Sequence, residues 1–340
     1  MHAARIERHG PLELTWCEAT LPAPGPEQVL IDVHAAGVNF PDVLVVQGTY
    51  QNLAPLPFSP GKEVAGVVRA VGPQVESCKP GDRVVALIES GGYAEQVLAP
   101  GVNTYVLPGE IDFVTAATTM VYQTAHFALL LRGGWRAGES VLVTGATGGV
   151  GMASVQLAGA LGARVIAAVG TPAKIDVARS LGADAIIDVG AADLQESLRA
   201  QVREVTAGRG ADLIIDNVGS PLFEACLRAL AWSGRIVVVG FAGGKRPALQ
   251  ANYLLIKNIA ATGLHWSDYR DRDPALVRRV QEEILELLRS QRLKPPIAAV
   301  YPMERAIDAL RQLAARNVLG KLVLATAAGR RAGIRTGTIA

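Results

Sequence analysis

The chain has 340 residues, half of them hydrophobic, and a formal net charge of +2. That length allows two domains with a substantial core, and the balanced charge makes no case for nucleic acid or an acidic membrane surface. Cys17, Cys78 and Cys226 lie far apart without a C-x-x-C pair, which argues against a disulfide framework or a structural zinc lobe.

The opening "MHAARIERHGPLELTW" has no apolar core of the signal-peptide kind, and no run approaches membrane-spanning length, so a cytoplasmic protein is expected. The first third reads as β-rich. "QVLIDVHAAGVN", "EVAGVVRAVG" and "DRVVALI" are short β-branched runs punctuated by "PAPGPE", "SCKPGD" and "SGG", which predicts a small antiparallel barrel or folded sheet. After about Met120 the pattern changes. "SVLVTGA" is apolar without alternation, as in a strand buried on both faces, and a helical stretch and another apolar strand follow. Strand and helix then alternate through "RIVVVGF", which predicts a parallel sheet with helices on both faces. "RIVVVGFAG" is apolar enough to serve as an edge strand that pairs with a second copy, so a homodimer is expected. "PALVRRVQEEILELLRSQ" and "GKLVLA" are expected to return to the first domain. The tail "GRRAGIRTGTIA" reads as a frayed basic end.

"VLVTGATGGVGMA", Val141 to Ala153, follows a predicted strand and opens a helix. Ala146, Gly148 and Gly151 occupy the glycine positions of G-x-G-x-x-G, so Gly148, Gly149, Val150 and Gly151 are expected to meet a pyrophosphate. Backbone N–H groups at the helix N-terminus supply the attraction. The second strand of such a unit usually ends in an acid that holds the ribose 2′-hydroxyl of NAD. Here "RVIAAVGTPAK" ends in Val169 and Gly170. Thr171 reads as an N-cap with Pro172 at the first helical position, and Lys174 stands in the first turn, ready for a 2′-phosphate. NADPH is therefore the expected cofactor.

"VNFPDVLVVQGTYQ", "LPFSPGKEVAGVV", "KPGDRVVAL", "GATGGVG", "VGTPAK" and "GKLVLA" together resemble the zinc-free NADPH:quinone oxidoreductase branch of the medium-chain dehydrogenase/reductase family. "LAWSGRIVVVGFAGG" and "NYLLIKNIAATGLHW" resemble its quinone-oxidoreductase-like subgroup. The resemblance runs from Arg5 to about Leu324. It implies a GroES-like β-rich catalytic domain over residues 1–121 and 265–340, a Rossmann domain over 122–264, and an active site in the cleft between them.

Zinc-dependent relatives hold their metal at three positions. In this chain these fall in "GVNFPD", which has no cysteine, at Lys62, and near Met120. A protonated lysine and a soft thioether are poor zinc ligands, so no metal is expected. The resemblance implies catalytic roles for Tyr50 as proton donor, Asn39 as orienter of substrate or nicotinamide, Asp42 as a loop anchor, and Thr124, flanked by Tyr122 and Gln123. On the cofactor side it adds Asn217, Gly240, Phe241, Leu264, His265 and Trp266, with Lys321 near the phosphates. Val189 stands where many relatives carry a tyrosine beside the adenosine phosphate. Lys62 reads either as an attractor of anionic substrates or as a solvated lysine. His2, His9, His34, His126 and His265 show no metal spacing.

The leading expectation is an NADPH-dependent, zinc-free reductase of quinones. Its rivals are a reductase of α,β-unsaturated carbonyls and a non-catalytic NADPH-binding protein. The expected partner is a small electron acceptor, with no nucleic acid and no membrane.

Overall fold

The computed structural model describes residues 1–316 and 318–338, and the chain divides into two units. The first comprises Met1–Met120, Ser267–Gln291 and Pro295 onward. Its organising element is the strand Gln28–Val38, whose first seven residues alternate between half-buried and buried. That period of two puts Val29, Ile31 and Val33 into the core. The strand pairs antiparallel with Glu63–Val71, with Gln96–Pro100 and with Lys321–Ala325. Eight strands form the sheet, running from Gly337–Thr338 through Ile297–Pro302, Lys321–Ala325, Gln28–Val38, Glu63–Val71 and Arg83–Leu87 to Thr104–Val106, with Gln96–Pro100 off the path. Val64, Val84, Ala86, Leu322 and Leu324 complete the core.

The C-terminal tail is docked, which corrects the reading of a frayed end. Thr326 caps a short helix, Ala327–Arg331, by accepting from the Gly329 N–H. A Cβ on Gly329 would lie 2.2 Å from the His34 carbonyl, so only glycine lets this turn pack on the central strand. Thr338 then pairs with Ala299. Segments this short carry no periodicity, and the packing that holds them comes from distant residues. Ile339 and Ala340 lie outside the described residues.

The second unit comprises Val121–Trp266 and Arg292–Lys294. Its six strands are all parallel, in the order Ala185–Asp188, Arg164–Val169, Ser140–Thr144, Ala211–Asp216, Leu230–Val238, Ala260–Gly263. Ser140–Thr144 is buried at all five positions, as its unbroken apolar character predicts. Strand order reverses between Ser140–Thr144 and Ala211–Asp216, the switch point at which doubly wound sheets bind dinucleotides.

One expectation fails here. "RIVVVGFAG" supplies an interior strand, and the edge is Ala260–Gly263. Ile236 and Val237 are apolar because they are fully buried between neighbouring strands and helices, not because a second copy covers them. Among the described residues no helix is long and apolar enough to cross a membrane.

Candidate functional site

In the first unit, the polar residues of "VNFPD" and "GKEV" form two buried networks on opposite sides of one strand end. Successive residues of a strand point to opposite faces, so Lys62 and Glu63 part company at once. Glu63 is 0 % exposed. Its Oε1 accepts from Asn39 Nδ2 at 2.8 Å and from Lys321 Nζ at 3.0 Å, and its Oε2 accepts from the Met120 N–H at 2.9 Å. Lys321 also donates to Asn39 Oδ1 at 2.6 Å and to the Val38 carbonyl at 3.1 Å. Gly37 makes room for this cluster, since a Cβ there would lie 2.3 Å from Glu63 Oε1 and 2.1 Å from the Ala117 carbonyl.

Lys321 was expected near the cofactor phosphates. The structure corrects this: its ammonium is 2 % exposed and engaged by three acceptors inside the first unit. Burial of Glu63 demands a cation, and Lys321 is that cation. The amide of Asn39 is likewise engaged at both ends, so it joins strand to helix rather than presenting itself to substrate or nicotinamide.

Asp42 holds the start of the helix Phe40–Gln47. Its Oδ2 accepts from the Asn39 N–H at 2.9 Å and from the Tyr93 hydroxyl at 2.8 Å, while its Oδ1 is buried without a partner. Burial pushes the Asp42 pKa up to about 6, against the smaller opposing pull of the Asn39 N–H, Lys62, Tyr93 and Lys321.

Lys62 is 3 % exposed, which rules out the solvated-lysine reading. Its ammonium pairs with the Glu89 carboxylate, donates to the Glu89 carbonyl at 3.1 Å, and lies 4.6 Å from the centroid of the Tyr50 ring. The other oxygen of Glu89 accepts from Arg270 at 2.9 Å, and Arg270 also grips Asp271 at 2.8 Å. Tyr50 is half-buried and its hydroxyl is hydrogen-bonded to Ser267. Burial raises its pKa, with the nearby Glu89 charge acting the same way, so the phenol keeps its proton. The result is a neutral phenol resting on an ion-paired ammonium. Glu63, Glu89, Tyr93, Ser267 and Arg270 were not singled out from sequence. Only Glu63, adjacent to Lys62 in the motif, carried any local signal.

In the second unit, the candidate cofactor residues other than Lys321 gather at the carboxyl ends of parallel strands. Gly148, Gly149, Val150 and Gly151 follow Ser140–Thr144, while Gly170, Thr171 and Lys174 follow Arg164–Val169. Asn217 follows Ala211–Asp216, Gly240 and Phe241 follow Leu230–Val238, and Leu264, His265 and Trp266 follow Ala260–Gly263. Gly148 caps the helix Gly149–Ala160 in extended conformation without a side-chain acceptor, so the first-turn N–H groups remain for an anion. A Cβ on Gly151 would lie 2.0 Å from the Gly145 carbonyl, which makes glycine obligatory for this helix to meet the loop.

Thr144 Oγ1 donates to Asp216 at 2.8 Å and accepts from the Asn217 N–H at 2.9 Å, fastening the two strands at the switch point. Asn217 Nδ2 is held by the Thr144 carbonyl at 2.9 Å, but its buried Oδ1 has no donor. The indole N–H of Trp266 is also buried without an acceptor. Such orphaned groups fit a dinucleotide's hydroxyl and amide groups.

Gly170 leaves space beside Val189, whose nearest carbon would be 3.8 Å from a Cβ there. Lys174, half-buried, has no ion-pair partner among the described residues. The N-cap reading of Thr171 is off by one residue. The helix is Ala173–Ser180 with Pro172, already at helical angles, in the cap position, and Thr171 serves through its carbonyl, which accepts from the Lys174 N–H at 3.0 Å. Thr124 lies half-buried on the helix Thr119–His126. Buried Tyr122 donates to Gln156 Oε1 at 2.7 Å, which gives it a structural anchor, and Gln123 is buried as well.

The three candidate zinc positions do not fit a zinc ion. Asn39 is committed to Glu63 and Lys321, Lys62 is an ammonium already paired with Glu89, and Met120 offers a thioether.

A family model described as the alcohol dehydrogenase GroES-like domain matches residues 25–109, and one described as zinc-binding dehydrogenase matches residues 149–282. The chain is 38% identical over 306 residues to the quinone oxidoreductase-like protein 2 homolog of Nematostella vectensis, covering 89% of this chain and 82% of that protein. It is 34% identical to the quinone oxidoreductase of Sus scrofa over 95% of this chain and 97% of the relative. Among solved structures, a mycobacterial protein complexed with NADPH superposes with a TM-score of 0.89 at 32% identity, covering 96% of this chain and 100% of that one.

Proposed function

Since the chain belongs to the medium-chain dehydrogenase/reductase family and is an oxidoreductase of it, we propose that it uses NADPH to reduce quinones without a catalytic zinc. The observation that carries this reading is Lys62, buried and ion-paired to Glu89 beneath the ring of Tyr50, where a metal ligand would otherwise stand. Without a Lewis acid, oxidising an alcohol lacks its means of stabilising an alkoxide. Reducing an acceptor already poor in electrons needs only a hydrogen-bond donor where negative charge collects.

Tyr50 fills that role. Its phenol is held neutral by burial, steered by Ser267, and polarised by the ammonium against its ring face. Arg270 and Asp271 fix Glu89, Glu89 fixes Lys62, and so the donor is oriented before the acceptor arrives. Asp42, Asn39, Glu63 and Lys321 hold the start of the helix Phe40–Gln47, which leads to Tyr50.

NADPH supplies the hydride when bound. The first-turn N–H groups of Gly149, Val150 and Gly151 would hold its pyrophosphate, Lys174 its 2′-phosphate, and Asn217 and Trp266 its polar edges. Support for NADPH comes from Lys174, from the missing acid after Val169, and from the NADPH complex of the mycobacterial relative.

The test compares initial rates of NADPH and NADH oxidation with an ortho-quinone and with an unsaturated ketone. Faster turnover of the quinone with NADPH supports the reading. A preference for the ketone, lost in Tyr50→Phe, moves the assignment to carbonyl-conjugated alkenes.

A further inference from the structure

The second unit carries a cavity of about 460 Å³ at the end of its sheet opposite the glycine-rich loop. It is bounded by the last turns of the helices Leu194–Val205 and Leu222–Ala229, the start of the strand Leu230–Val238, and the helix Ala251–Lys257. The six-residue strand Ala211–Asp216 separates the two ends by ~20 Å, so this is not the dinucleotide site.

Five cations face it, Arg199, Arg203, Arg209, Arg228 and Lys257, and no carboxylate lines it. Arg199 and Arg228 share the single carboxylate of Glu196, at 3.5 and 3.2 Å. Arg203 and Arg209 are exposed and have no ion-pair partner among the described residues. Lys257 donates to the carbonyls of Leu227, Arg228 and Leu230 and shifts to a lower pKa, through burial first and the charges of Arg199 and Arg203 next. A chain with only two more basic than acidic residues has no need to crowd five cations round one cavity. Arg203 and Arg209 have no counter-charge of their own among the described residues, so the field of the cluster draws an anion to the cavity.

The second observation is aromatic. Between Leu230, paired with Ala211, and Arg235, paired with Leu213, the strand makes an excursion that leaves the sheet register. Ser233 takes φ +61°, and Trp232 beside it is 76 % exposed at the cavity wall. A non-glycine residue in left-handed conformation and an indole in water both cost free energy, and together they present a flat ring beside the arginines. Tyr253 lines the same cavity.

We infer that this cavity is a second anion site, distinct from the NADPH site, that takes a nucleoside polyphosphate, with the phosphates on Arg203 and Arg209 and the base against Trp232. Planar guanidinium forks match phosphate oxygens, and an indole face stacks on a base. The volume is that of a small-molecule site.

The experiment is calorimetric titration of the whole protein, saturated with NADPH, in low-salt, metal-free buffer. The titrants are ATP, inorganic triphosphate, adenosine and a short RNA duplex. ATP is expected to bind about 5- to 160-fold more tightly than triphosphate, the increment of one stacked base, with adenosine silent. Arg203→Gln with Arg209→Gln, both at exposed positions, should weaken ATP at least about tenfold and leave NADPH affinity unchanged. Trp232→Ala should reduce ATP to the affinity of triphosphate. The proposal is overturned if wild-type protein saturated with NADPH gives no heat with ATP, or if NADPH displaces ATP. Equal affinity for ATP and triphosphate refutes the nucleoside assignment, and tight binding of an RNA duplex without ATP binding assigns the surface to RNA instead.

Discussion

Replacing Lys321 by methionine separates two accounts of that residue. The change keeps the length of the stem and removes the ammonium. Glu63 then remains fully buried with two of its three donors, Asn39 Nδ2 at 2.8 Å and the Met120 N–H at 2.9 Å. Breaking a buried ion pair from one side costs about 3–5 kcal/mol. The two surviving bonds place this case at the lower end, about 3 kcal/mol. At roughly 2–4 °C per kcal/mol for a cooperative unit the size of the first one, the melting temperature of that unit should fall by about 6–12 °C. Adding Glu63→Gln removes the stranded charge and should restore a good part of the loss, because a neutral amide costs far less to bury. The assay is thermal and urea unfolding of the wild type, Lys321→Met and the double variant, with NADPH affinity measured on each. A phosphate-binding lysine gives the opposite pattern: NADPH affinity down at least about tenfold with stability unchanged. That outcome would refute the burial argument.

Four further outcomes follow from the same geometry. Asp42 has its pKa raised to about 6 in the folded protein from 3.8, so the folded state binds the proton more tightly. Its contribution to stability therefore falls as pH rises from about 4 to 6 and is level above that, and Asp42→Asn should flatten this part of the stability–pH curve by ~1–3 kcal/mol. Urea midpoints across pH 4 to 7.5 decide it, and an unchanged slope in the variant removes Asp42 from the account. Tyr50→Phe should lower the maximal rate with an enone by about 10²-fold or more, the usual scale for a lost general acid, and affect a quinone far less, since quinone oxygens take protons from water. Equal small losses would deny Tyr50 the donor role. Gly151→Ala forces a Cβ to within 2.0 Å of the Gly145 carbonyl and should abolish measurable dinucleotide binding, as read by fluorescence titration. Lys174→Gln should weaken NADPH about tenfold while sparing NADH, and parallel losses for both would show that Lys174 does not read the 2′-phosphate.

What could be read from sequence, and what could not, divides by the range of the interactions involved. The parallel sheet was legible because "SVLVTGA" and its successors are buried by their immediate neighbours, and burial on both faces leaves an unbroken apolar run. The dinucleotide loop was legible because its chemistry is local: Gly151 is required by the carbonyl of Gly145, in the same loop. The first unit was legible only in part. Lys62 and Tyr50 appeared in motifs, but Glu89 and Arg270 come from segments 27 and 208 residues beyond Lys62, and nothing in either segment announces the meeting. Lys321 was misplaced for the same reason, since its partner Glu63 is 258 residues away. "RIVVVGFAG" was misread as an edge because apolarity reports burial without saying what does the burying. The docked tail shows the converse, a segment with no pattern held by a capping threonine and one close glycine contact.

The proposed chemistry places Lys62, held by Glu89 beneath Tyr50, where no metal is needed. The direct measurement is the initial rate of NADPH oxidation by an ortho-quinone after exhaustive treatment with a chelator, with zinc counted on the same sample. The expected result is an undiminished rate at negligible zinc content. A rate that disappears with the metal and returns on adding zinc would contradict it.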